Sequence, residues 1–286
     1  MKRLLIVSLV LAALAGCQGG SGEKVMARYV PERADDFVFE NSLVAGRFYG
    51  KALEGNPTSP GLDIWVKLPG KLVADEWYKG FLTESDEYYH HNHGGKDCYK
   101  VAVSLGGGAS SPLIDGKLCY PATNYRSWEI VEESPEKVVF TLHYPQWQTP
   151  DSVMVALDKT VTVVPDTYFC AVEDVYTFEG ADTLAIAAGM NIHAALETVE
   201  KQLVQPGRVA IWEHASDQTF EPEDGMLGVG VVMPDADGTS LSEDGTHLLV
   251  WKYVTSGQPV RYSFGSCWSK ADIKTAQDWF ELVANL

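Results

Sequence analysis

The fold is decided by the stretch Val153-Met154-Val155-Ala156-Leu157-Asp158-Lys159-Thr160-Val161-Thr162-Val163-Val164. Every second residue from Val153 to Val163 is apolar except Lys159, and the residues between them are mostly small or polar. Because side chains alternate between the two faces of a strand, this period of two predicts a strand with one buried face. The following Pro165-Asp166-Thr167 predicts a turn, so the stretch opens a β-hairpin.

The same pattern of short apolar runs separated by turn residues continues on both sides of this hairpin. Strands are predicted at 138–144, 153–164, 168–178, 184–190, 209–214, 227–233, 247–253 and 260–268, and further upstream at 37–49, 64–68, 99–105 and 125–131. So many strands with no linker between them predict an all-β fold, a large antiparallel β-sandwich of the supersandwich type, as a single domain over residues 29–286.

One helix is predicted, at the C-terminus. Ser269 is placed to cap it, and Asp272 three residues later would complete a capping box. Its apolar face would consist of Ile273, Ala276, Phe280 and Val283.

The N-terminus has the order of features expected of an export signal. Lys2 and Arg3 precede an apolar run over 4–14, and Leu14-Ala15-Gly16-Cys17 resembles the lipobox of bacterial lipoproteins. We therefore predict a signal peptide over residues 1–16, with Cys17 lipidated and residues 17–28 acting as a tether. The protein would be anchored by lipid to the cell envelope, at the outer membrane facing the periplasm; the alternative is a buried apolar strand at the N-terminus.

Composition limits the classes of partner. The chain of 286 residues has 39 acidic and 22 basic residues, a formal net charge of −17. This excess disfavours binding to nucleic acid or to an anionic membrane face, which leaves the lipid anchor as the membrane contact. An acidic ligand would need a pocket in which Arg, Lys and His are concentrated.

Four further cysteines would lie in an oxidising compartment. Cys98 and Cys119 flank a segment rich in Gly and Ser and could close it with a disulfide. The pairing of these two residues with Cys170 and Cys267 is left open, and none has the spacing of a zinc site.

Histidines are concentrated in the segment Tyr88-Tyr89-His90-His91-Asn92-His93-Gly94-Gly95-Lys96-Asp97-Cys98-Tyr99-Lys100. Three of the seven histidines lie within four residues of each other, on a glycine-containing loop. Imidazole exchanges protons near neutral pH and binds metals, so the cluster indicates a site in which Asp97 orients or co-ligates a histidine. A solvated loop whose histidines cap turns is the alternative. No cofactor is predicted; a divalent metal is a further alternative, although the sequence fixes no third ligand.

Polar and aromatic residues on the later strands could face one cleft. Trp and Tyr rings stack on the apolar faces of sugars, and Arg pairs with carboxylates, which together indicate a site for an acidic sugar. The predicted catalytic residues are His90, His93, Lys100, Arg126, His193 and Glu213, and the predicted substrate-binding residues are Tyr89, Asp97, Tyr99, Trp128, Trp212 and Arg261. The motifs of α/β-hydrolases and of dinucleotide-binding domains do not occur, which disfavours those activities.

Several stretches carry a family resemblance: 33–40, Ile64-Trp65, Tyr89-His90, His93-Gly94, Asp97, Tyr99-Lys100-Val101 and Tyr125-Arg126-Ser127-Trp128. In these the chain resembles bacterial lipoproteins grouped as domain of unknown function 4861. The resemblance implies a β-supersandwich similar to that of galactose mutarotases and several polysaccharide lyases, in systems that degrade uronate polysaccharides.

Three functions follow as hypotheses. The first is an enzyme acting on oligosaccharides that contain uronic acid, by mutarotase-like or lyase-like acid/base chemistry. The second is a non-catalytic carbohydrate-binding lipoprotein, and the third is a scaffold protein of an envelope complex.

Overall fold

The computed structural model describes residues 24–54, 61–85, 88–91, 93–193, 201–214 and 220–286, with the backbone alone for 201–203. The predicted signal peptide and lipidated Cys17 lie outside these residues and stay predictions. The first strand begins at Val25, inside the segment 17–28 that the sequence assigns to a tether.

The elements are numbered in chain order. The first strands are β1 (Val25–Val30), β2 (Asp36–Asn41), β3 (Ala45–Phe48), β4 (Leu62–Lys67) and β5 (Gly95–Lys96), with helix α1 (Ala74–Leu82) between the last two. Then follow β6 (Ser110–Ile114), β7 (Lys117–Leu118), β8 (Ser127–Ser134), β9 (Lys137–Gln148), β10 (Met154–Val163), β11 (Phe169–Glu179) and β12 (Leu184–Asn191). The last are β13 (Lys201–Gln205), β14 (Arg208–Glu213), β15 (Leu227–Val232), β16 (Gly238–Leu241), β17 (His247–Val254), β18 (Pro259–Trp268) and helix α2 (Ala276–Ala284), and short 3-10 turns occur at Lys51–Leu53 and Pro222–Asp224.

The described strands form three antiparallel sheets. We call them the N-terminal sheet, with strand order β1-β2-β3-β4-β5, the large sheet, with order β13-β14-β15-β18-β11-β10-β9-β8, and the third sheet, with order β16-β17-β12-β6-β7. One large hydrophobic core contains residues of all three sheets, and a second cluster lies between the N-terminal sheet and α1. The all-β, sandwich-like fold class predicted from the sequence is confirmed.

The side chains of β10 alternate between buried and more exposed positions, as the sequence pattern predicts. Val155, Leu157, Val161 and Val163 are almost fully buried, and Lys159 lies on the same inward face. The Lys159 ammonium donates to the Asp174 carboxylate across a distance of 2.6 Å. A buried charge is tolerated when it is paired and hydrogen-bonded, so the polar residue on the apolar face is accommodated.

The predicted turn after β10 is present and joins two sheets. Asp166 adopts a left-handed conformation with φ 55°. The amide of Asn41, at the end of β2, donates to the carbonyl oxygens of Val164 and Thr167 at 2.8 and 2.9 Å. The Ser42 hydroxyl donates to the Asp166 carboxylate at 2.8 Å. These bonds fix the N-terminal sheet against the large sheet.

Helix α1 has no capping side chain of its own at Val73. Instead Glu40, on β2, accepts from the backbone N–H of Val73 at 2.8 and 2.9 Å and of Ala74 at 2.8 Å. The same carboxylate accepts from the buried Lys67 ammonium at 2.5 Å. No local cap in the sequence predicts α1, because the residue that caps it, Glu40, lies more than thirty residues earlier in the chain.

The predicted C-terminal helix is confirmed, but its predicted cap was wrong, and one predicted strand was wrong. The C-terminal helix begins after Thr275, whose side chain accepts from the Asp278 N–H, and Ser269 is instead paired with Met226 through backbone and side chain. The strand predicted at 99–105 is a loop, because Ala102 adopts φ 48° and interrupts the extended backbone.

None of the four described cysteines, Cys98, Cys119, Cys170 and Cys267, is in a disulfide, and all four are buried. Within the described ranges, neither helix has the length and apolar character needed to cross a membrane.

We expect Glu40→Gln to destabilise the protein by about 3–5 kcal/mol, because the buried Lys67 ammonium loses its counter-charge and α1 loses one of the two oxygens that cap it. The free energy of unfolding in urea measures this. The matched control is Glu132→Gln, which breaks an exposed ion pair with Lys137 and should cost about 1 kcal/mol or less. Equal effects of the two changes would contradict this account of α1.

Candidate functional site

The histidine-rich segment is held by its pairing with the N-terminal sheet. Gly95 pairs with Lys67 of β4, and a Cβ at Gly95 would lie 2.4 Å from the Val66 carbonyl oxygen and 2.7 Å from the Trp77 ring. Only glycine fits this close approach. The next residue, Lys96, is buried and donates to the Asp224 carboxylate at 2.7 Å. The backbone pairing of Gly95 and the ion pair of Lys96 therefore fix the position of the segment that leads to Lys100.

A buried guanidinium lies beneath this segment. Arg47 on β3 is 3% exposed, and it donates to Asp63 through Nε at 2.8 Å and to Asp97 through Nη2 at 2.7 Å. A third carboxylate, Asp36, lies 3.6 Å away, and the Arg47 guanidinium is 4.8 Å from the centre of the Tyr89 ring. We call Arg47, Asp36, Asp63 and Asp97 the Arg47 cluster.

The Arg47 cluster contains more carboxylates than its cations balance. Arg33 adds a second guanidinium, which donates to both oxygens of Asp36 at 3.1 Å. Burial raises the pKa of Asp63 to about 8, and the nearby charge of Asp97 acts in the same direction against that of Arg47. Asp63 Oδ1 is buried and has no hydrogen-bond partner. A proton on Asp63 therefore relieves the excess of negative charge.

His90 lies at the edge of the Arg47 cluster. Its Nε2 is 3.6 Å from Asp97 Oδ2, and its side chain is 30% exposed. This separation is longer than a hydrogen bond, so the orientation of a histidine by Asp97 stays a prediction. His93 is exposed on the same loop, with its ring centre 6.3 Å from that of His91.

A second polar constellation joins two sheets. His193, just beyond the end of β12 in the third sheet, approaches Glu213, the last residue of β14 in the large sheet, with Nδ1 and Oε1 2.6 Å apart. Their side chains are 7% and 4% exposed. His193 Nε2 lies 2.8 Å from the Lys100 carbonyl oxygen, which can only accept a hydrogen bond. The Asn191 amide nitrogen lies 3.2 Å from the same Nε2, so the hydrogen-bond role of each ring nitrogen depends on the tautomer. With its hydrogen on Nδ1, His193 donates to Glu213 Oε1.

Tyr99 and Asn191 support this pair. The Asn191 amide donates to the Lys100 carbonyl oxygen at 3.2 Å. The Tyr99 hydroxyl donates towards the backbone and side-chain oxygens of Asn191 at 2.8 and 3.0 Å, and its ring meets the His193 ring edge to face at 4.6 Å. Burial raises the pKa of Tyr99 well above its ordinary value, and the charges of Glu213 and Asp63 raise it further. Tyr99 is thus a neutral donor placed between the two clusters.

The structure brings some of the predicted site residues together and separates others. Tyr99, Lys100, His193 and Glu213 meet, and Trp212 is buried in the core beside Glu213. Tyr89, His90 and Asp97 meet at the Arg47 cluster.

Arg126, Trp128 and Arg261 lie elsewhere. Arg126 pairs with Glu54 just before β8, and β8 lies six positions from β14 in the large sheet. Trp128 is 41% exposed on β8, and Arg261 pairs with Glu173 on an exposed face. These three side chains therefore do not face the His193–Glu213 pair.

Sequence reasoning missed Arg47, Asp36 and Asp63. Each lies within a short strand among apolar residues, where a charged side chain on a buried face signals a specific partner. For the metal alternative, no group of three or more His, Cys, Asp or Glu side chains in the described part of the chain is arranged to hold an ion.

The fold and site define an antiparallel β-sandwich protein with a buried His–Glu pair between two of its sheets. The chain belongs to the family described as domain of unknown function (DUF4861), whose profile matches residues 21–286. It is 28% identical over 274 residues to an uncharacterized protein P7 of Formosa agariphila, covering 90% of this chain and 65% of that relative. The chain thus spans slightly less than two thirds of the relative's length.

Two solved structures resemble this chain with low TM-scores and low sequence identity. A 4-α-glucanotransferase from Thermococcus litoralis shares 8% identity with a TM-score of 0.37, over 85% of this chain and 40% of that one. Heparinase III shares 10% identity with a TM-score of 0.34, over 89% of this chain and 37% of that one. Both are carbohydrate-active enzymes, but at these TM-scores the similarity supports no inference about activity.

The raised pKa of Asp63 predicts a pH-dependent stability. Because its pKa in the folded state, about 8, exceeds the ordinary value of 3.8, the folded protein binds the extra proton between these values. The contribution of Asp63 to stability is full below the ordinary value and is lost as the pH rises through 8. We expect the urea midpoint to fall as the pH rises from about 4 to about 8, and to fall less in Asp63→Asn.

Part of the decrease of the urea midpoint with pH should persist in Asp63→Asn, because burial also raises the pKa of Asp36 and of Glu40. Asp158→Asn, on an exposed carboxylate, is the control and should keep the slope of the unmodified protein. Identical slopes for Asp63→Asn and the unmodified protein would contradict the protonation of Asp63.

Proposed function

We propose that this protein is a carbohydrate-active enzyme that acts on oligosaccharides containing uronic acid, with His193 and Glu213 as its acid/base pair. The observation that carries the proposal is the 2.6 Å contact between His193 Nδ1 and Glu213 Oε1 in an almost fully buried setting. A short contact between these atoms holds one transferable proton, which is the requirement of general acid/base catalysis.

Two reactions suit such a pair. In a lyase, a base takes the proton α to the uronate carboxylate, a carbon–carbon double bond forms, and the glycosidic oxygen leaves with a proton. In a mutarotase, the anomeric hydroxyl loses a proton while the ring oxygen gains one, and the ring opens. Each reaction needs a group that removes a proton and a group that returns one, and the His193–Glu213 pair supplies both.

The Lys100 carbonyl sets a condition on catalysis. Its oxygen lies 2.8 Å from His193 Nε2 and covers that nitrogen. For His193 to act on a sugar, a substrate oxygen must take the place of this carbonyl. The loop that carries it includes Ala102 with φ 48° and Val103, which is 58% exposed. Movement of this loop is therefore part of the proposed reaction.

The same covering contact favours a second candidate, a non-catalytic carbohydrate-binding protein. If the Lys100 carbonyl never leaves Nε2, the His193–Glu213 pair acts as a clamp between two sheets. Membrane anchoring through Cys17 and location at the outer membrane belong to either proposal as predictions from the sequence.

The first test compares two variants of the pair with a matched control. We expect Glu213→Gln and His193→Asn each to lower turnover of uronate oligosaccharides by about 100-fold or more. The control, His143→Asn, breaks another His–carboxylate contact of 2.7 Å with Asp158 on an exposed face, and should keep full activity.

Oligosaccharides of polygalacturonate and alginate serve as substrates. Ultraviolet absorbance detects new double bonds, and NMR follows the anomeric ratio. Binding in calorimetry without either change would exclude the enzyme in favour of the binding protein. Full activity in both Glu213→Gln and His193→Asn would show that the site lies elsewhere.

The proposed uronate preference rests on Lys100, which is exposed and whose carbonyl oxygen lies 2.8 Å from His193 Nε2. The cations of Arg47 and Lys96 are buried and paired, and Arg126 is bound by Glu54. We expect Lys100→Met to weaken binding of uronate oligosaccharides about fivefold at low salt, the size of one exposed charge pair. Neutral oligosaccharides should bind as before.

Lys137→Met, on an exposed lysine of β9, is the control and should change neither affinity. The effect of Lys100→Met should shrink at high salt, since exposed charges are screened. An equal loss for neutral and uronate ligands would argue against Lys100 as the carboxylate contact.

A further inference from the structure

An aromatic groove lies at the end of α1, next to the histidine-rich loop. Its cavity of about 300 Å³ is lined by Gly80, Phe81, Glu84, Ser85 and Tyr88. Phe81 is 39% exposed, although it lies on a well-packed helix. An exposed ring at the mouth of a concave surface is characteristic of ligand binding.

The rings of the groove form a continuous series with the loop. The ring centres of Phe81 and Tyr88 are 6.5 Å apart, those of Tyr88 and His91 are 4.8 Å apart, and those of His91 and His93 are 6.3 Å apart. His91 and His93 are exposed. The series thus combines two apolar ring faces with two imidazoles that can exchange hydrogen bonds.

The buried side of the groove is rigid. Tyr89 is 2% exposed and stacks on Phe81 at 5.5 Å and on Trp65 at 5.7 Å. The Arg47 guanidinium lies 4.8 Å from the centre of the Tyr89 ring. The exposed rings are therefore held in place before any ligand arrives, which lowers the entropy cost of binding.

The groove is close to the His193–Glu213 pair along the chain. His90, between Tyr89 and His91, lies 3.6 Å from Asp97, and Lys100 follows three residues after Asp97. Three residues of extended chain span at most about 11 Å. An oligosaccharide could therefore reach from the groove to the Lys100 carbonyl.

We propose that this aromatic groove is a carbohydrate subsite, which holds a sugar unit of the same oligosaccharide away from the reacting bond by stacking it on Phe81 and Tyr88. A pyranose has apolar C–H faces and hydroxyl edges, and the groove offers ring faces beside the Glu84 carboxylate and the imidazoles. An apolar protein segment would leave these polar groups unmatched. The proposal rests on the carbohydrate ligand of the proposed function, but not on its chemistry.

The test separates ring stacking from general apolar contact. Phe81→Leu/Tyr88→Leu keeps apolar bulk but removes both rings, and Phe81→Tyr/Tyr88→Phe keeps both rings. Calorimetry measures binding of a hexasaccharide of polygalacturonate, a hexasaccharide of alginate and free galacturonate. We expect the leucine variant to bind the preferred hexasaccharide about tenfold or more weakly, with galacturonate binding unchanged, and the ring-keeping variant to bind within about twofold of the unmodified protein.

Three results would overturn the subsite: unchanged hexasaccharide affinity in the leucine variant, an equal loss in the ring-keeping variant, or no hexasaccharide binding by the unmodified protein. If the leucine double variant does not fold, as judged by thermal unfolding, Phe81→Leu alone is compared with Phe81→Tyr.

Glu213→Gln distinguishes failure of the subsite from failure of the proposed function. Its turnover tests the proposed chemistry, whereas the affinity of the leucine variant tests the groove, whose lining does not include Glu213. If Glu213→Gln keeps full turnover while the leucine variant loses affinity, the proposed chemistry fails and the subsite stands.

Discussion

The buried guanidinium of Arg47 is the constraint on which the site region depends. It contacts Asp36 on β2, Asp63 on β4 and Asp97 on the histidine-rich segment, all with almost no exposure to solvent. A buried cation that loses a carboxylate partner is left with uncompensated charge, so these parts of the chain are stable only together. The position of Asp97 in turn fixes Tyr99, which lies between the cluster and the His193–Glu213 pair.

The His193–Glu213 pair depends on the packing of two sheets rather than on one element. Each residue lies at or just beyond the end of a strand, one in the third sheet and one in the large sheet. A small shift of one sheet against the other would lengthen the 2.6 Å contact between His193 and Glu213. The contact is therefore a property of the assembled sandwich.

Local pattern predicted the large sheet well because its strands alternate clearly, as β10 does. It failed where distant groups decide the structure. Helix α1 is capped by Glu40 from another strand, and Ser269 is used by Met226 rather than by a helix. For the site, residue type singled out His193 and Glu213 as candidates for acid/base chemistry, and the structure places the two side chains in contact. Their contact, and the burial of Asp63 beneath the loop, follow from sheet packing that no sequence spacing encodes.

The bonds from Asn41 to the hairpin turn have a consequence for folding. The buried Asn41 amide is satisfied by the carbonyls of Val164 and Thr167, more than 120 residues later in the chain. During synthesis from the N-terminus, the first sheet is complete in sequence long before these partners exist. The Asn41 amide at the end of β2 gains these partners only when the β10–β11 hairpin is present, and that hairpin forms locally and early. The protein should therefore fold slowly, with the N-terminal sheet docking last onto a preformed hairpin.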